Sequence, residues 1–172
     1  MQLKNYKLVT TNKLMISDLT KKKIFLLKKT YWKYNIKNQK DFFEKNTQNK
    51  DIIFYIKMNN FLNNIIAHFV LKLKHFYLNN QKKKFLLIDS VIVAKKYRNK
   101  GIGKFILEKS KNISQKKKLP LIAISIKKNE KFYLNSDFKL LKKENLIIKN
   151  FKKNKLFFSY NFNVKAKPKL VF

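Results

Sequence analysis

The stretch Arg98-Asn99-Lys100-Gly101-Ile102-Gly103 concentrates residue types that the rest of the chain lacks. It holds the only arginine among 42 Lys+Arg residues and both glycines of a 172-residue chain. A β-branched run, Ile88-Asp89-Ser90-Val91-Ile92-Val93, precedes it, and an amphipathic run, Lys104 to Gln115, follows. Strand, glycine-bearing turn and helix start together aim backbone N–H groups and a positive dipole end at an anion, usually a phosphate. The plainer alternative is a strand-to-helix turn that needs glycine for positive φ or close packing.

Two other side chains are candidates for proton transfer. Asp89 is a carboxylate in an apolar strand, and period-two counting puts it on the same side as Val91 and Val93. A buried carboxylate with a raised pKa suits base work; the alternative is a cap or an ion pair with a nearby lysine. His68 lies in a second β-rich run and is a further candidate base, although a lone strand histidine is more often structural. His75 follows the lysine-rich end of that run and is expected on the surface. With two histidines, nine acidic residues and no cysteine, no metal-ligand spacing stands out, and no metal is expected.

Composition bounds the rest. A hydrophobic content of 45% with 16 Phe, 8 Tyr and one Trp argues for a folded globule rather than a disordered chain. The length suits one domain, taken as residues 1–165, with 166–172 as a basic, frayed tail. The formal charge of +33 has two readings, a nucleic-acid surface or compositional drift toward Lys, Asn, Ile, Phe and Tyr. Lysines spread from end to end, with arginine almost absent, favour drift over a specific nucleic-acid partner. No run approaches the roughly 20 apolar residues of a membrane helix, and the N-terminus lacks a signal-peptide core, so a cytoplasmic protein is expected.

The elements that must position these residues can be read in order. Tyr6 to Thr10 reads as a short strand. Ser17 looks like an N-cap with Asp18 in the first turn, opening a helix to about Tyr34 with Leu19, Ile24, Leu27, Tyr31 and Tyr34 near one face. Asn38 to Asn46 reads as a second helix presenting Phe42 and Phe43. Asp51 to Met58, Ile65 to Leu73 and Phe85 to Val93 read as strands, with Asn59–Asn64 as a hairpin connection and Gln81–Lys84 as a polar approach. Beyond the turn come a helix with Ile102, Phe105, Ile106 and Ile113 on one face and an exposed Glu108–Lys111 pair. Leu119 to Ile126 is a buried strand, Lys128 to Asn135 a short helix, and Phe138–Leu141, Leu146–Ile148 and Leu156–Phe162 a β-rich tail. One strand–helix–strand crossover inside a meandering sheet excludes a doubly wound fold.

At this point the run from Val91 to Gly103 resembles the acyl-CoA loop of the GNAT superfamily of N-acetyltransferases: Arg or Gln, two residues, Gly, one residue, then Gly or Ala, after a strand ending in an aliphatic pair. Lys131 to Phe138 is similar to the family's second motif, Phe-Tyr, three residues, Gly-Phe, with one helix and one strand between the two. Asp137 replaces the motif's glycine, and Lys95 stands where proline is common. The resemblance runs over about residues 5–163. It implies an α/β (α+β) fold with a mixed, mostly antiparallel central sheet of about seven strands and about four flanking helices.

The resemblance also implies roles. Backbone N–H groups from Arg98 through Asn99, Lys100, Gly101, Ile102 and Gly103 to Lys104 would cradle the CoA pyrophosphate, with the Arg98 fork helping. Pantetheine would lie along the Val91–Val93 strand end, and the N–H of Val91 or Val93 would polarise the thioester carbonyl. Tyr133 would protonate the leaving thiolate, for which a phenol of pKa near 10 is a sensible donor. Asn129 would contact CoA; the acceptor amine must also lose a proton, for which Asp89, on its own strand context, is the first candidate base. Tyr31, Trp32, Tyr34, Phe42 and Phe43 lie where the family builds its acceptor pocket, and equally where amphipathic helices keep core aromatics. The implied activity is acetyl transfer from acetyl-CoA to a primary amine by direct attack. Small amines, amino sugars and peptide amines all fit as acceptors, and a homodimer is compatible. The competing reading is a catalytically dormant basic module on the same scaffold that binds RNA or the ribosome or senses acyl-CoA.

Overall fold

The computed structural model describes residues 5–59, 64–141, 147–148, 155–162 and 169–171. In chain order the elements are β1 (Tyr6–Thr11), α1 (Asp18–Lys29), α2 (Ile36–Asn46), β2 (Ile52–Met58), β3 (Ile65–Leu78), β4 (Gln81–Val93), α3 (Ile102–Lys117), β5 (Leu121–Ser125), α4 (Glu130–Leu134), β6 (Lys139–Leu141), β7 (Ile147–Ile148), β8 (Leu156–Tyr160) and β9 (Lys169–Val171). Hydrogen bonding runs β1-β2-β3-β4-β5-β8-β6, with β9 joined to β3 and β7. Of the described ladders, β4–β5 and β7–β9 are parallel and the others antiparallel. The expected mixed sheet with four helices is therefore present. The chain divides into two compact units, Met1–Lys72 with Ser90–Ile106, and Leu73–Asp89 with Leu107–Phe172. β3, β4 and α3 each run from one into the other.

In the first unit, local chemistry starts both helices. Ser17 caps α1, its side chain accepting from the Thr20 N–H at 3.3 Å, and Asn35 caps α2 by accepting from Asn38 at 2.7 Å. Each such cap satisfies an orphan N–H and stabilises its helix by about 1 kcal/mol. α1 and α2 close over β2 and β3 through Ile16, Ile24, Phe25, Phe43, Ile53 and Val70. Burying side chains of this size stabilises by about 1.5–3 kcal/mol each.

α1 ends at Lys29, earlier than Tyr34, because Thr30 turns back on it: both its N–H and its hydroxyl donate to the Leu27 carbonyl. The expected apolar face is thereby cut short. Ile24 and Leu27 are buried, while Leu19, Tyr31 and Tyr34 are exposed.

The second unit builds its core from Phe76, Phe85, Leu87, Ile122 and Phe157. Here β3 and β4 are longer than their apolar runs, reaching Leu78 and starting at Gln81. Asn79 and Asn80 lie between them with φ of 47° and 63°. Positive φ at both central residues is what a type I′ hairpin turn requires, and asparagine tolerates it. The lysine run Lys82–Lys84 is consequently strand, with its side chains exposed.

The β4–β5 register pairs Leu86 with Leu121, Leu87 with Ile122 and Ile88 with Ala123. Lys169–Val171 pairs antiparallel with His75–Tyr77, where fraying is expected from the sequence; a Leu-Val pair beyond Pro168 supplies enough strand character to extend the ladder. Of the Asn59–Asn64 connection, residues 60–63 lie outside the described residues, as does Leu146 of the expected 146–148 strand.

Candidate functional site

The glycine turn is held from beneath. The Ala94 N–H donates to the Ile66 carbonyl at 2.8 Å, and Lys95–Tyr97 form one 3₁₀ turn. Tyr97 is buried, meets Tyr6 edge-on at 6.2 Å and donates its hydroxyl to Met58 Sδ at 2.9 Å. From this anchor the chain emerges at Arg98, whose Nε donates to the Val93 carbonyl at 3.0 Å and whose guanidinium lies 5.6 Å over the Tyr31 ring. The arginine is thus pinned on the strand end with its charge at the surface.

Asn99 follows with φ of 60° and Gly101 with φ of 75°, both left-handed. Left-handed residues ahead of a helix make the concave run of N–H groups that binds anions. Phe105 donates to the Gly101 carbonyl, so the N–H groups of Ile102, Gly103 and Lys104 stand ahead of the helical ladder. α3 is 16 residues long with no acidic residue in its first turn, while Lys100 and Lys104 are exposed beside it. Partial charge, side-chain charge and backbone geometry here all suit a pyrophosphate.

Val91 and Val93 are half-buried in the last residues of β4. Ser90, just before them, has a φ of 56°. A left-handed residue inside a strand breaks the two-residue alternation. The expectation that Asp89 shares a side with Val91 and Val93 by counting in twos therefore does not carry across Ser90. Asp89 itself is half-buried and ends the stretch of β4 that belongs to the second unit.

In that second unit Tyr133 is buried in α4. Its ring stacks on Phe158 at 4.7 Å and meets Phe132 and Phe138 edge-on. Its carbonyl accepts from the N–H groups of Ser136 and Phe138, which winds the chain tightly after the helix. Asn129 precedes α4 and donates its side-chain N–H to Ser125 Oγ at 2.9 Å, tying the helix start to the end of β5. Asp137, the departure from glycine, has a φ of 62°, so it keeps the left-handed geometry a glycine would give.

Sequence reasoning missed what Asp137 does. Its carboxylate accepts from Lys111 Nζ at 2.9 Å, and Lys111 also meets Glu108 at 2.7 Å and the Ser136 carbonyl at 3.2 Å. The Glu108–Lys111 pair is present but not on an exposed face, because Lys111 is buried. No sequence signal marked it, since Lys111 falls opposite Ile102, Ile106 and Ile113 on the helical wheel. Burial by itself lowers the pKa of Lys111, and the two carboxylates outweigh it, so the value is raised above the ordinary 10.5.

Both histidines lie in β3. His68 is buried with Nδ1 donating to the Phe54 carbonyl at 3.0 Å, a structural position in the sheet. His75 is half-buried in β3 rather than on the surface, opposite Val171.

The acetyltransferase (GNAT) family model matches residues 22–134. No curated protein matches the chain in sequence. Among solved structures, the GNAT family N-acetyltransferase YhbS of Escherichia coli in complex with CoA is similar, with a TM-score of 0.66 and 9% identity over 97% of this chain and 90% of that one. The Arabidopsis thaliana NAA60 in complex with a bisubstrate analogue gives 0.65 and 11% identity over 91% of this chain and 100% of the other. A Staphylococcus aureus GNAT family acetyltransferase gives 0.64 and 20% identity over 89% and 98%. At these identities the likeness is one of fold, that of the acyl-CoA N-acyltransferases.

Proposed function

The chain belongs to the GNAT family of acetyltransferases, and from that premise we propose that it moves an acetyl group from acetyl-CoA to a primary amine by direct attack. The observation that carries the reading is the turn from Arg98 to Gly103: two left-handed residues, an exposed arginine and a helix start without acids, inside the matched residues 22–134. The solved relatives with CoA or acetyl-CoA bound support the choice of cofactor.

In this reading residues 1–165 act as one acetyltransferase domain. The N–H groups from Arg98 to Lys104 hold the pyrophosphate, and the Arg98 guanidinium adds charge to it. The N–H of Val91 or Val93 stabilises negative charge on the thioester oxygen as the amine nitrogen adds to the carbonyl carbon. The C–S bond then breaks, Tyr133 gives its phenolic proton to the thiolate, and the proton lost by the amine passes to Asp89 directly or through water. Asn129 contacts CoA from the start of α4.

Acetyl-CoA is expected to raise the melting temperature in a dose-dependent way, because a ligand bound only by the folded state stabilises it by mass action. The absence of any shift at millimolar acetyl-CoA would remove the cofactor assignment. CoA release followed across a panel of amines then tests the transfer itself.

A further inference from the structure

Tyr31 is one of the aromatics that the sequence leaves open between an acceptor wall and ordinary core packing. It is not a core residue, because its ring is nearly half exposed on the turn that follows α1. The ring is nonetheless held in place. The N–H groups of Tyr31 and Trp32 both donate to the Lys28 carbonyl, at 3.1 and 2.9 Å, and the Trp32 ring meets Tyr31 edge-on at 5.0 Å.

What lies on the Tyr31 face is the guanidinium of Arg98, 5.6 Å from the ring centroid and inside the same compact unit. Arg98 is exposed, and selecting one rotamer of so long a side chain costs free energy when a ligand requires it. Two restraints select it beforehand: the Nε–H bond to the Val93 carbonyl at 3.0 Å fixes one edge of the guanidinium, and the ring covers one face. The hydrogen bond alone lets the plane swing about it, and the ring alone lets the plane slide across it. Together they set its orientation, and the Nη edge is left for phosphate oxygens. A lysine has neither a planar face nor an Nε–H beside its charged end, so it could not be pinned in this way. That gives a physical use to the only arginine among 42 Lys+Arg residues.

We propose that Tyr31 is a positioning residue for the acyl-CoA turn: its ring holds Arg98 in the orientation that meets the pyrophosphate, which ties the end of α1 to cofactor binding. The proposal rests on the acetyltransferase reading for the identity of the phosphate, not for the contact between ring and guanidinium.

Because the arginine is unique, its Nε–H gives a single resonance in a nitrogen–proton correlation spectrum of the full chain, and a ring over the guanidinium moves that resonance upfield. Tyr31→Phe should keep the shift and Tyr31→Leu should lose it. Calorimetric titration with acetyl-CoA should show affinity unchanged in Tyr31→Phe and weakened about two- to fivefold in Tyr31→Leu, the range of an exposed cation–π contact. In an Arg98→Lys background, Tyr31→Leu should weaken binding no further, since the two residues act as one. In turnover the loss should appear in the acetyl-CoA KM, with kcat and the acceptor KM unmoved. Leu26→Ala, about as exposed on α1, should leave acetyl-CoA affinity at the wild-type value.

Wild-type affinity in Tyr31→Leu, additive losses in the double variant, or an equal loss in Leu26→Ala would overturn the proposal. A rise confined to the acceptor KM would overturn it as well and make Tyr31 a wall of the acceptor pocket. One measurement needs no variant: in the wild type the upfield shift should persist with acetyl-CoA bound, and its disappearance would show that Arg98 leaves the ring to bind. If Arg98→Lys weakens acetyl-CoA while Tyr31→Leu does not, the cofactor reading stands and the positioning role alone falls. If the wild type binds no acetyl-CoA, both fall together.

Discussion

Lys111 of α3 reaches the carboxylate of Asp137 at 2.9 Å, joining the long helix to the left-handed residue that follows α4. The contact gives a physical use to an aspartate standing where a glycine would serve the backbone alone. It also fixes the chain immediately after Tyr133, since Lys111 holds the Ser136 carbonyl while the Ser136 N–H donates to Tyr133.

The partners of Lys111 differ in exposure, which sets an order among its variants. Its own side chain is 6% exposed, against 43% for Glu108 and 80% for Asp137. Lys111→Met leaves two carboxylates that water can solvate, so urea unfolding should show a loss of about 1 kcal/mol. The double variant Glu108→Gln, Asp137→Asn leaves a buried ammonium without a carboxylate and should lose more, about 3 kcal/mol. Because the folded pKa of Lys111 is raised above 10.5, its contribution is complete below that pH and disappears as pH rises through the folded value. The stability gap between wild type and Lys111→Met should accordingly be flat from pH 7 to 10 and close above about pH 10.5. A gap that closes below pH 9 would contradict the ion pair.

The Asn79-Asn80 turn makes a second prediction. With φ of 63°, Asn80 occupies the second central position of the turn, where glycine meets no Cβ penalty. Asn80→Gly should leave thermal stability unchanged or raise it, whereas Asn80→Val should lower it by about 1–2 kcal/mol. Equal melting temperatures for the two variants would mean that the turn is not held in this geometry.

Much of the fold was legible because composition made the signals sparse. In a chain with two glycines, their placement at 101 and 103 after a β-branched run marked a turn that the structure shows to need φ of 75° at Gly101. Ser17 with Asp18 marked the start of α1 by chemistry that depends on one turn only. What escaped notice depended on contacts far apart in sequence or on residues that break rules quietly. Ser90 is left-handed in a strand without a glycine to announce it, so counting in twos does not carry from Asp89 to Val91. The lysines at 82–84 looked like a polar approach because nothing local distinguishes an exposed strand from a loop. Lys28, Lys72 and Lys111 were indistinguishable from the surface lysines around them until α1, β3 and α3 carried them inward.

The turn itself offers a steric test. Gly103 lies in the first turn of α3, where its N–H precedes the helical ladder and a side chain would project toward a bound anion. Gly103→Val should abolish the rise in melting temperature caused by acetyl-CoA while changing the ligand-free melting temperature little, the helix cost of valine being no more than that of glycine. Retained tight binding in a folded Gly103→Val protein would refute the loop assignment.

The last prediction separates packing from proton transfer at Tyr133. Its ring is held by the stack on Phe158 and by edges from Phe132 and Phe138, contacts that a phenylalanine reproduces atom for atom apart from the hydroxyl. Tyr133→Phe should therefore keep the fold, losing no more than about 1 kcal/mol for one hydroxyl's hydrogen bonding. It should also bind acetyl-CoA as the wild type does. Turnover should nonetheless fall by roughly 10²-fold, the usual contribution of a positioned general acid. Single-turnover measurement at saturating acetyl-CoA reads the chemical step free of product release. A variant that folds, binds acetyl-CoA and turns over at the wild-type rate would show that the thiolate takes its proton from elsewhere and would leave Tyr133 as a core aromatic.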